Sequence, residues 1–112
     1  MKYVNLGKSG LKVSEVSLGT MTFGRESDEK EANKILEYYF DNGGNFIDTA
    51  NVYAEGKSEE ILGRALREKR NNIVLATKVF FLTRKDFNEK GLQEIIFLEL
   101  LKIVWKAYRL II

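Results

Sequence analysis

Apolar positions along the chain change their spacing in a regular way, and the changes mark alternating strands and helices. Near the start, two short apolar groups flank Gly7-Lys8-Ser9-Gly10, which predicts a β-hairpin with a glycine-containing turn. Three later apolar runs have strand length and predict a parallel sheet. These runs are Val16 to Leu18, Asn45 to Ile47 and Ile73 to Thr77. The third is apolar throughout, so we expect it to be buried on both faces.

Two stretches between these runs carry apolar residues at helical spacing. The first begins after Asp28, a predicted helix cap that Glu31 would complete as a capping box, and it stops at Asn42-Gly43-Gly44. The second is predicted to have Ser58 as its cap. After the hairpin the chain therefore alternates strand and helix in units of roughly 30 residues, which is the rhythm of an α/β fold with a parallel sheet.

Composition narrows the possible chemistry. The chain has 112 residues, of which 45% are hydrophobic and 30% charged, as in one globular domain. A net charge of +2, without a basic run interleaved with aromatics, argues against nucleic acid as a partner. The chain contains no cysteine and no histidine, which excludes disulfides, zinc–thiolate sites, histidine metal sites and histidine-activated nucleophiles within it. No apolar run of signal-peptide length opens the sequence, so a cytoplasmic protein is the default expectation.

Three polar residues fall at or just beyond the carboxyl ends of the second and third predicted parallel strands. Asp48 ends one strand, Tyr53 lies on the loop that follows it, and Lys78 ends the next strand. Because neighbouring parallel strands end side by side, we expect the lysine to contact both the carboxylate and the phenol. An ammonium beside a phenol lowers the pKa of the phenol, and a carboxylate keeps the ammonium charged and oriented. The alternative is a structural ion pair, or a surface lysine, beside an unrelated loop tyrosine.

The sequence around these residues resembles the aldo-keto reductase family over roughly residues 1–91. The resemblance is carried by an apolar pair before Asp48-Thr49-Ala50, by Tyr53 five residues after the acid, and by Gly56-Lys57-Ser58-Glu59. Further matching segments are Ser9 to Ser14, Ser17 to Gly24 and Ile73 to Lys78. Ala54, at a position where the family often has glycine, is a mild departure.

The resemblance implies a partial (βα)8 TIM barrel, an α/β fold that consists here of an N-terminal β-hairpin and the first three βα units. It also implies NADPH-dependent reduction of a small aldehyde or ketone to an alcohol by hydride transfer. In that reaction Tyr53 is the proton donor, and Lys78 and Asp48 are its tuning pair. The residues that the resemblance places beside the nicotinamide are Gly19, Thr20, Met21 and Asp48.

Length and composition set this chain apart from a complete family member. A complete barrel has about 250 residues, and the fourth catalytic residue of the family is a histidine, which this chain lacks. We therefore expect residues 1–112 to form one incomplete domain, truncated or frameshifted after about residue 91. Residues 92–112 no longer resemble the family and predict an amphipathic helical tail, whose five charges argue against a membrane span.

Two interpretations of such a fragment stay open. In the first, it is a piece of an aldo-keto reductase that is inactive alone. In the second, it is a non-catalytic binding module that acts through its exposed sheet and its apolar tail. Both predict open sheet edges and self-association, because three strands of a barrel lack neighbours on two sides. The strand residues expected to face the missing wall are Val16, Leu18, Phe46 and Ile47.

Overall fold

The structure is a computed structural model that describes residues 1–78. Its strands are β1 (Tyr3–Asn5), β2 (Lys12–Ser14), β3 (Leu18–Gly19), β4 (Phe46–Asp48) and β5 (Val74–Ala76). Its helices are α1 (Glu29–Asp41) and α2 (Lys57–Ala65), with short 3-10 segments at Tyr53–Gly56 and Arg70–Asn72. No helix in this part of the chain is long and apolar enough to cross a membrane. The predicted third helix and the tail of residues 92–112 lie outside the described residues.

The strands form two sheets. β1 and β2 pair as an antiparallel hairpin, in whose turn Gly7 and Gly10 adopt left-handed conformations with φ of 55° and 78°. β3, β4 and β5 form a parallel sheet in chain order. Asp48, the last residue of β4, is paired with Gly19 on one side and with Ala76 on the other. The predicted hairpin and strand–helix rhythm are therefore confirmed, and the carboxyl ends of all three parallel strands meet at one edge.

Helix α1 begins and ends where the sequence predicts. The Asp28 carboxylate accepts a hydrogen bond from the backbone N–H of Glu31 at 2.8 Å, which caps the first turn. The helix ends at Asp41 with Asn42 as its C-cap, and the next residue, Gly43, takes a left-handed conformation with φ of 83°. One face of α1 is buried through Ala32, Leu36 and Tyr39.

Helix α2 begins differently from the prediction. It starts at Lys57, and the residue in its cap position is Gly56, whose φ is 92°. The expectation that Ser58 caps the helix is therefore wrong. The left-handed turn at Gly56 starts the helix two residues earlier than predicted, so Ser58 falls inside the first turn and its side chain is fully buried.

The core lies between the parallel sheet and the two helices. Its buried apolar members are Phe23, Ala32, Leu36, Tyr39, Ile47, Ile61, Leu62, Leu66 and Ile73. Ile47 therefore points toward the helices, as does Leu18, which is paired with it and packs against the same core. The expectation that these two residues face the missing wall is wrong. Because side chains alternate along a strand, Phe46 and Asp48 point to the opposite, open face. Val16, which was also expected on that face, is 56% exposed.

Strand β5 is less buried than its apolar sequence predicts. All three of its residues are half-buried, whereas the run predicted burial on both faces. Val74 and Ala76 are paired with Phe46 and Asp48 and therefore lie on the open face of the sheet. Within residues 1–78, β5 and β3 also each pair with β4 alone. The outer edges of this sheet therefore carry no paired strand in the described part of the chain.

Candidate active site

The predicted ion pair lies at the carboxyl ends of β4 and β5. The Lys78 ammonium donates to both carboxylate oxygens of Asp48, at 2.7 Å to Oδ1 and 2.6 Å to Oδ2. It also donates to the backbone carbonyl of Thr49 at 3.0 Å. The backbone carbonyl of Lys78 in turn accepts a hydrogen bond from the N–H of Asn51 at 3.1 Å. The two strand ends are thus connected through main chain and side chain together.

Tyr53 lies against the same ammonium. It opens the 3-10 segment before α2, and its half-buried ring has its centroid 5.4 Å from Lys78 Nζ. This distance is within the range of a cation–π contact. The structure therefore brings together the three residues Asp48, Tyr53 and Lys78 that the sequence singles out.

The charge of the Lys78 side chain is set by opposing influences. Partial burial is the largest of them and lowers its pKa, but the hydrogen bond and charge of Asp48, together with the interaction with Tyr53, outweigh it. The net pKa of Lys78 is raised above the ordinary lysine value, so the ammonium is retained at neutral pH. The side chains of Lys78 and Asp48 remain 46% and 38% exposed, which leaves the pair accessible to a ligand.

The residues expected beside a nicotinamide divide into exposed and buried ones. Gly19 is exposed, with no atom within 4 Å of the place where a Cβ would stand, and Met21 is 54% exposed. The Thr20 side chain is fully buried instead, and its hydroxyl donates to the Asp48 carbonyl at 3.1 Å. Thr20 therefore contacts the end of β4 rather than the open face above it.

Two buried polar residues of the first turn of α2 were not foreseen as parts of the site. The Ser58 hydroxyl donates to the Thr20 carbonyl at 2.9 Å and lies 3.1 Å from the hydroxyl of Thr49. The Glu59 carboxylate, 1% exposed, accepts a hydrogen bond from the Thr77 hydroxyl at 2.6 Å. The motif Gly-x-Ser-Glu is the signal in the sequence, but its serine alone predicts a helix cap and its acid predicts no contact with a strand.

The backbone between Tyr53 and α2 is strained. Ala54 and Glu55 have φ of 49° and 57°, and they are the residues other than glycine with positive φ among residues 1–78. A left-handed conformation costs an ordinary residue about 1–2 kcal/mol, and glycine avoids this cost. The substitution of the family's frequent glycine by Ala54 is therefore less mild than the sequence suggested. The strain falls within the loop that presents Tyr53, as is common at functional sites.

This arrangement, a tyrosine and a charged pair at the carboxyl ends of parallel strands, defines an α/β protein with an enzyme-like site. The sequence profile of the aldo/keto reductase family matches residues 15–96. The chain therefore belongs to the aldo/keto reductase family. The match ends close to the limit of about residue 91 that the resemblance indicated.

Individual relatives agree with this assignment. The chain is 52% identical over 96 residues to a protein of Arabidopsis thaliana named probable voltage-gated potassium channel subunit beta, with 82% of this chain and 29% of the relative covered. It is 46% identical over 87 residues to the uncharacterized oxidoreductase YrpG of Bacillus subtilis, covering 71% of this chain and 27% of that protein. The chain thus spans less than a third of the length of these curated relatives.

A solved structure confirms the fold. The aldo-keto reductase AKR11C1 from Bacillus halodurans, in its holo form, matches with a TM-score of 0.81 and 34% sequence identity. The match covers 97% of this chain and 37% of that one. The chain is therefore part of a TIM barrel, and the described residues hold its hairpin and three of its parallel strands without a closed barrel.

Proposed function

We propose that this chain carries the proton donor and its charged partners for the NADPH-dependent reduction, in the cytoplasm, of a small aldehyde or ketone to an alcohol. The observation that carries the proposal is the contact of one ammonium with two groups. Lys78 binds both oxygens of Asp48 and lies over the ring of Tyr53. A phenol next to a fixed positive charge is suited to give up a proton, which is the half of carbonyl reduction that a protein side chain supplies.

In the proposed reaction Tyr53 donates its phenolic proton to the carbonyl oxygen as that oxygen becomes an alkoxide. Lys78 stabilises the phenolate that remains, because opposite charges attract strongly where water is partly excluded. Asp48 holds the ammonium in place through its two hydrogen bonds and keeps it charged. When bound, the nicotinamide supplies the hydride that the carbonyl carbon accepts.

The proposed binding residues for the nicotinamide end of the cofactor are Gly19, Thr20, Met21 and Asp48. Gly19 fits this role, because the empty space beside its backbone lets a flat ring approach closely. Met21 offers an exposed and adaptable apolar side chain to such a ring. Thr20 contributes indirectly, since its buried hydroxyl holds the Asp48 carbonyl.

The 112-residue chain is proposed to be inactive alone. It covers 37% of the matched reductase structure. The family resemblance implies that the catalytic histidine and most contacts to the cofactor phosphates come from the rest of the barrel. We expect no oxidation of NADPH by this chain with a reactive aldehyde. Steady oxidation that disappears in a Tyr53→Phe variant would contradict this expectation.

A chimera tests the catalytic proposal directly. Residues 15–96 of this chain would replace the matching segment of the Bacillus halodurans reductase, which supplies the remaining barrel. We expect the chimera to reduce an aldehyde, and Tyr53→Phe in it to lower kcat by about 10²–10⁴-fold, the usual contribution of a general acid. Tyr38→Phe is the matched control, because Tyr38 is 75% exposed on α1. Equal turnover of the two variants would overturn the proposal.

Self-association is the second candidate, and the open sheet favours it. In the described part of the chain, β3 and β5 each have an outer edge without a paired strand. Such edges offer unpaired backbone groups to another chain. We propose that the isolated chain forms oligomers or aggregates through these edges. Sedimentation at tens of micromolar is the test, and a monomer at that concentration would contradict the proposal.

A further inference from the structure

Glu59 is a buried acid that the proposed reaction does not use. Its side chain is 1% exposed, whereas that of the adjacent Glu60 is exposed. Burial raises the pKa of Glu59, and the hydrogen bond from Thr77 opposes the rise without cancelling it. Burying a carboxyl group is unfavourable unless hydrogen bonds compensate for the lost water, so the contacts of Glu59 in the folded chain need an explanation.

Those contacts reach the end of β5. Glu59 Oε1 accepts the hydroxyl of Thr77 at 2.6 Å, a short hydrogen bond. Thr77 is the residue directly before Lys78, and consecutive Cα atoms are about 3.8 Å apart. A change in the position of Thr77 therefore moves the base of the Lys78 side chain almost equally.

Ser58, the preceding residue, reaches the other two strand ends. Its hydroxyl donates to the Thr20 carbonyl after β3 and lies 3.1 Å from the Thr49 hydroxyl after β4. Thr20 donates to the Asp48 carbonyl from both its N–H and its hydroxyl, at 3.0 Å and 3.1 Å. The first turn of α2 is therefore hydrogen-bonded to the ends of all three parallel strands.

We propose that Glu59, with Ser58 beside it, is a positioning residue that holds Lys78 in register with Asp48. The catalytic purpose of this positioning rests on the proposed function. The contacts themselves do not, since they involve no cofactor. The ammonium–carboxylate distances of 2.6 Å and 2.7 Å leave little tolerance, because such hydrogen bonds weaken beyond about 3.2 Å. The hydrogen bond of Glu59 to Thr77 fixes the strand end within that tolerance.

Competitive labelling of lysines tests the proposal on the 112-residue chain. Trace acetic anhydride at pH 8 acetylates free amines, and peptide mass spectrometry compares Lys78 with Lys34, an exposed lysine of α1. We expect Lys78 to be labelled more slowly than Lys34 in the unsubstituted chain. Glu59→Met, which keeps the volume but loses the acceptor, is expected to raise the labelling of Lys78 alone by about three- to tenfold. The unprotonated fraction changes tenfold for each pKa unit.

Two variants separate positioning from general stability. Glu59→Gln keeps an acceptor for Thr77, so it is expected to leave Lys78 close to its unsubstituted rate. Thr77→Val removes the same hydrogen bond from the other side and is expected to act like Glu59→Met, whereas Thr77→Ser keeps the hydroxyl and restores protection. Glu60→Met is the matched control on the exposed face of the same turn.

Several outcomes would overturn the proposal. One is equal labelling of Lys78 and Lys34 in the unsubstituted chain. Another is no change at Lys78 in both Glu59→Met and Thr77→Val. If both variants instead raise the labelling of all lysines together, the residues serve stability alone and the proposal also fails. The labelling measurement requires no turnover. Failure of the positioning proposal can therefore be distinguished from failure of the reductase proposal, which the chimera tests separately.

Discussion

Both ends of the parallel sheet carry clusters of polar side chains, and the two clusters differ in how far they are closed. At the amino end, the Tyr39 hydroxyl lies 2.8 Å from the carbonyl oxygens of Val16 and Phe46 and 2.9 Å from the hydroxyl of Ser14. Asn45 completes this cluster by accepting a hydrogen bond from the N–H of Ser14 at 2.7 Å. Tyr39 is only 8% exposed, so this cluster lies inside the fold.

At the carboxyl end the polar groups form two layers. The lower layer is buried and holds Thr20, Thr49, Ser58 and Glu59. The upper layer is the pair of Asp48 and Lys78 with Tyr53 beside it, all of which remain partly accessible.

The comparison shows that polar side chains at the amino end of the sheet stabilise the fold, whereas those at the carboxyl end also form the candidate active site. The amino end uses its polar groups to fasten the hairpin to the sheet, and Ser14 and Tyr39 are buried there. The carboxyl end uses a buried layer to support a charged layer that stays available. This is the end at which α/β barrels bind their ligands.

The largest expected effect tests the closed end. In Gly44→Ala, the new Cβ would overlap the ring of Tyr39, whose hydroxyl is held by several hydrogen bonds. Overpacking of this kind costs about 3 kcal/mol, and we expect the free energy of unfolding in urea to fall by that amount or the chain not to fold. Gly19→Ala at the open end is the control, since nothing lies near its Cβ position. Similar losses in both variants would break the comparison.

The second prediction compares neighbouring tyrosines. Tyr39→Phe removes the hydroxyl within hydrogen-bond distance of the carbonyls of Val16 and Phe46, of which only the Val16 carbonyl keeps a second hydroxyl, that of Ser14. We expect the free energy of unfolding to fall by about 2 kcal/mol. Tyr38→Phe is the control, because that side chain is 75% exposed, and we expect almost no change. Denaturant titration followed by circular dichroism measures both. Indistinguishable midpoints would show that the Tyr39 hydroxyl is not needed at the closed end.

The third prediction concerns strain at the open end. Ala54→Gly relieves a left-handed conformation, so we expect the free energy of unfolding to rise by about 0.5–1 kcal/mol after the extra chain entropy of glycine is counted. Ala65→Gly in α2 is the matched control and is expected to have the opposite sign. A loss of stability in Ala54→Gly would mean that this loop does not store strain.

The smallest expected effect is a dependence on pH at the buried layer. Because burial raises the pKa of Glu59, the protonated form is favoured in the fold. The contribution of protonated Glu59 to stability is complete below the ordinary glutamate pKa near 4.5, and it is lost as pH rises through the raised pKa of the folded state. The midpoint of thermal unfolding of Glu59→Gln should therefore rise, relative to that of the unsubstituted chain, as the pH increases from 4 to 7. Glu60→Gln gives the exposed control, and a difference that does not change with pH would contradict the prediction.

The sequence predicted those features that depend on local pattern. The cap at Asp28, the end of α1 at Asn42 and the strand before Asp48 follow from helix capping, glycine and apolar runs. The convergence of Asp48 with Lys78 followed from the geometry of parallel strands. Each of these features is decided within a few residues or by one general rule of sheet topology.

Other features depend on contacts between distant segments and could not be predicted in this way. Ser58 resembles a helix cap in sequence, but the conformation of Gly56 places it against Thr20, which is 38 residues away. Glu59 resembles an ordinary acid of a first helical turn, and its burial depends on Thr77 at the end of another strand. The burial of Ile47 on the helix side likewise depends on which face the helices cover.

The order of the parallel strands has a consequence for synthesis on the ribosome. Leu18, Phe46 and Val74 begin strands that are 28 residues apart, and each strand pairs with the one made just before it. At roughly 5–20 residues per second, about 1–6 seconds separate the emergence of successive strands. Closing a connection of this length takes far less than a second. Each strand therefore finds its neighbour already in place, and assembly of this region can advance at the pace of translation.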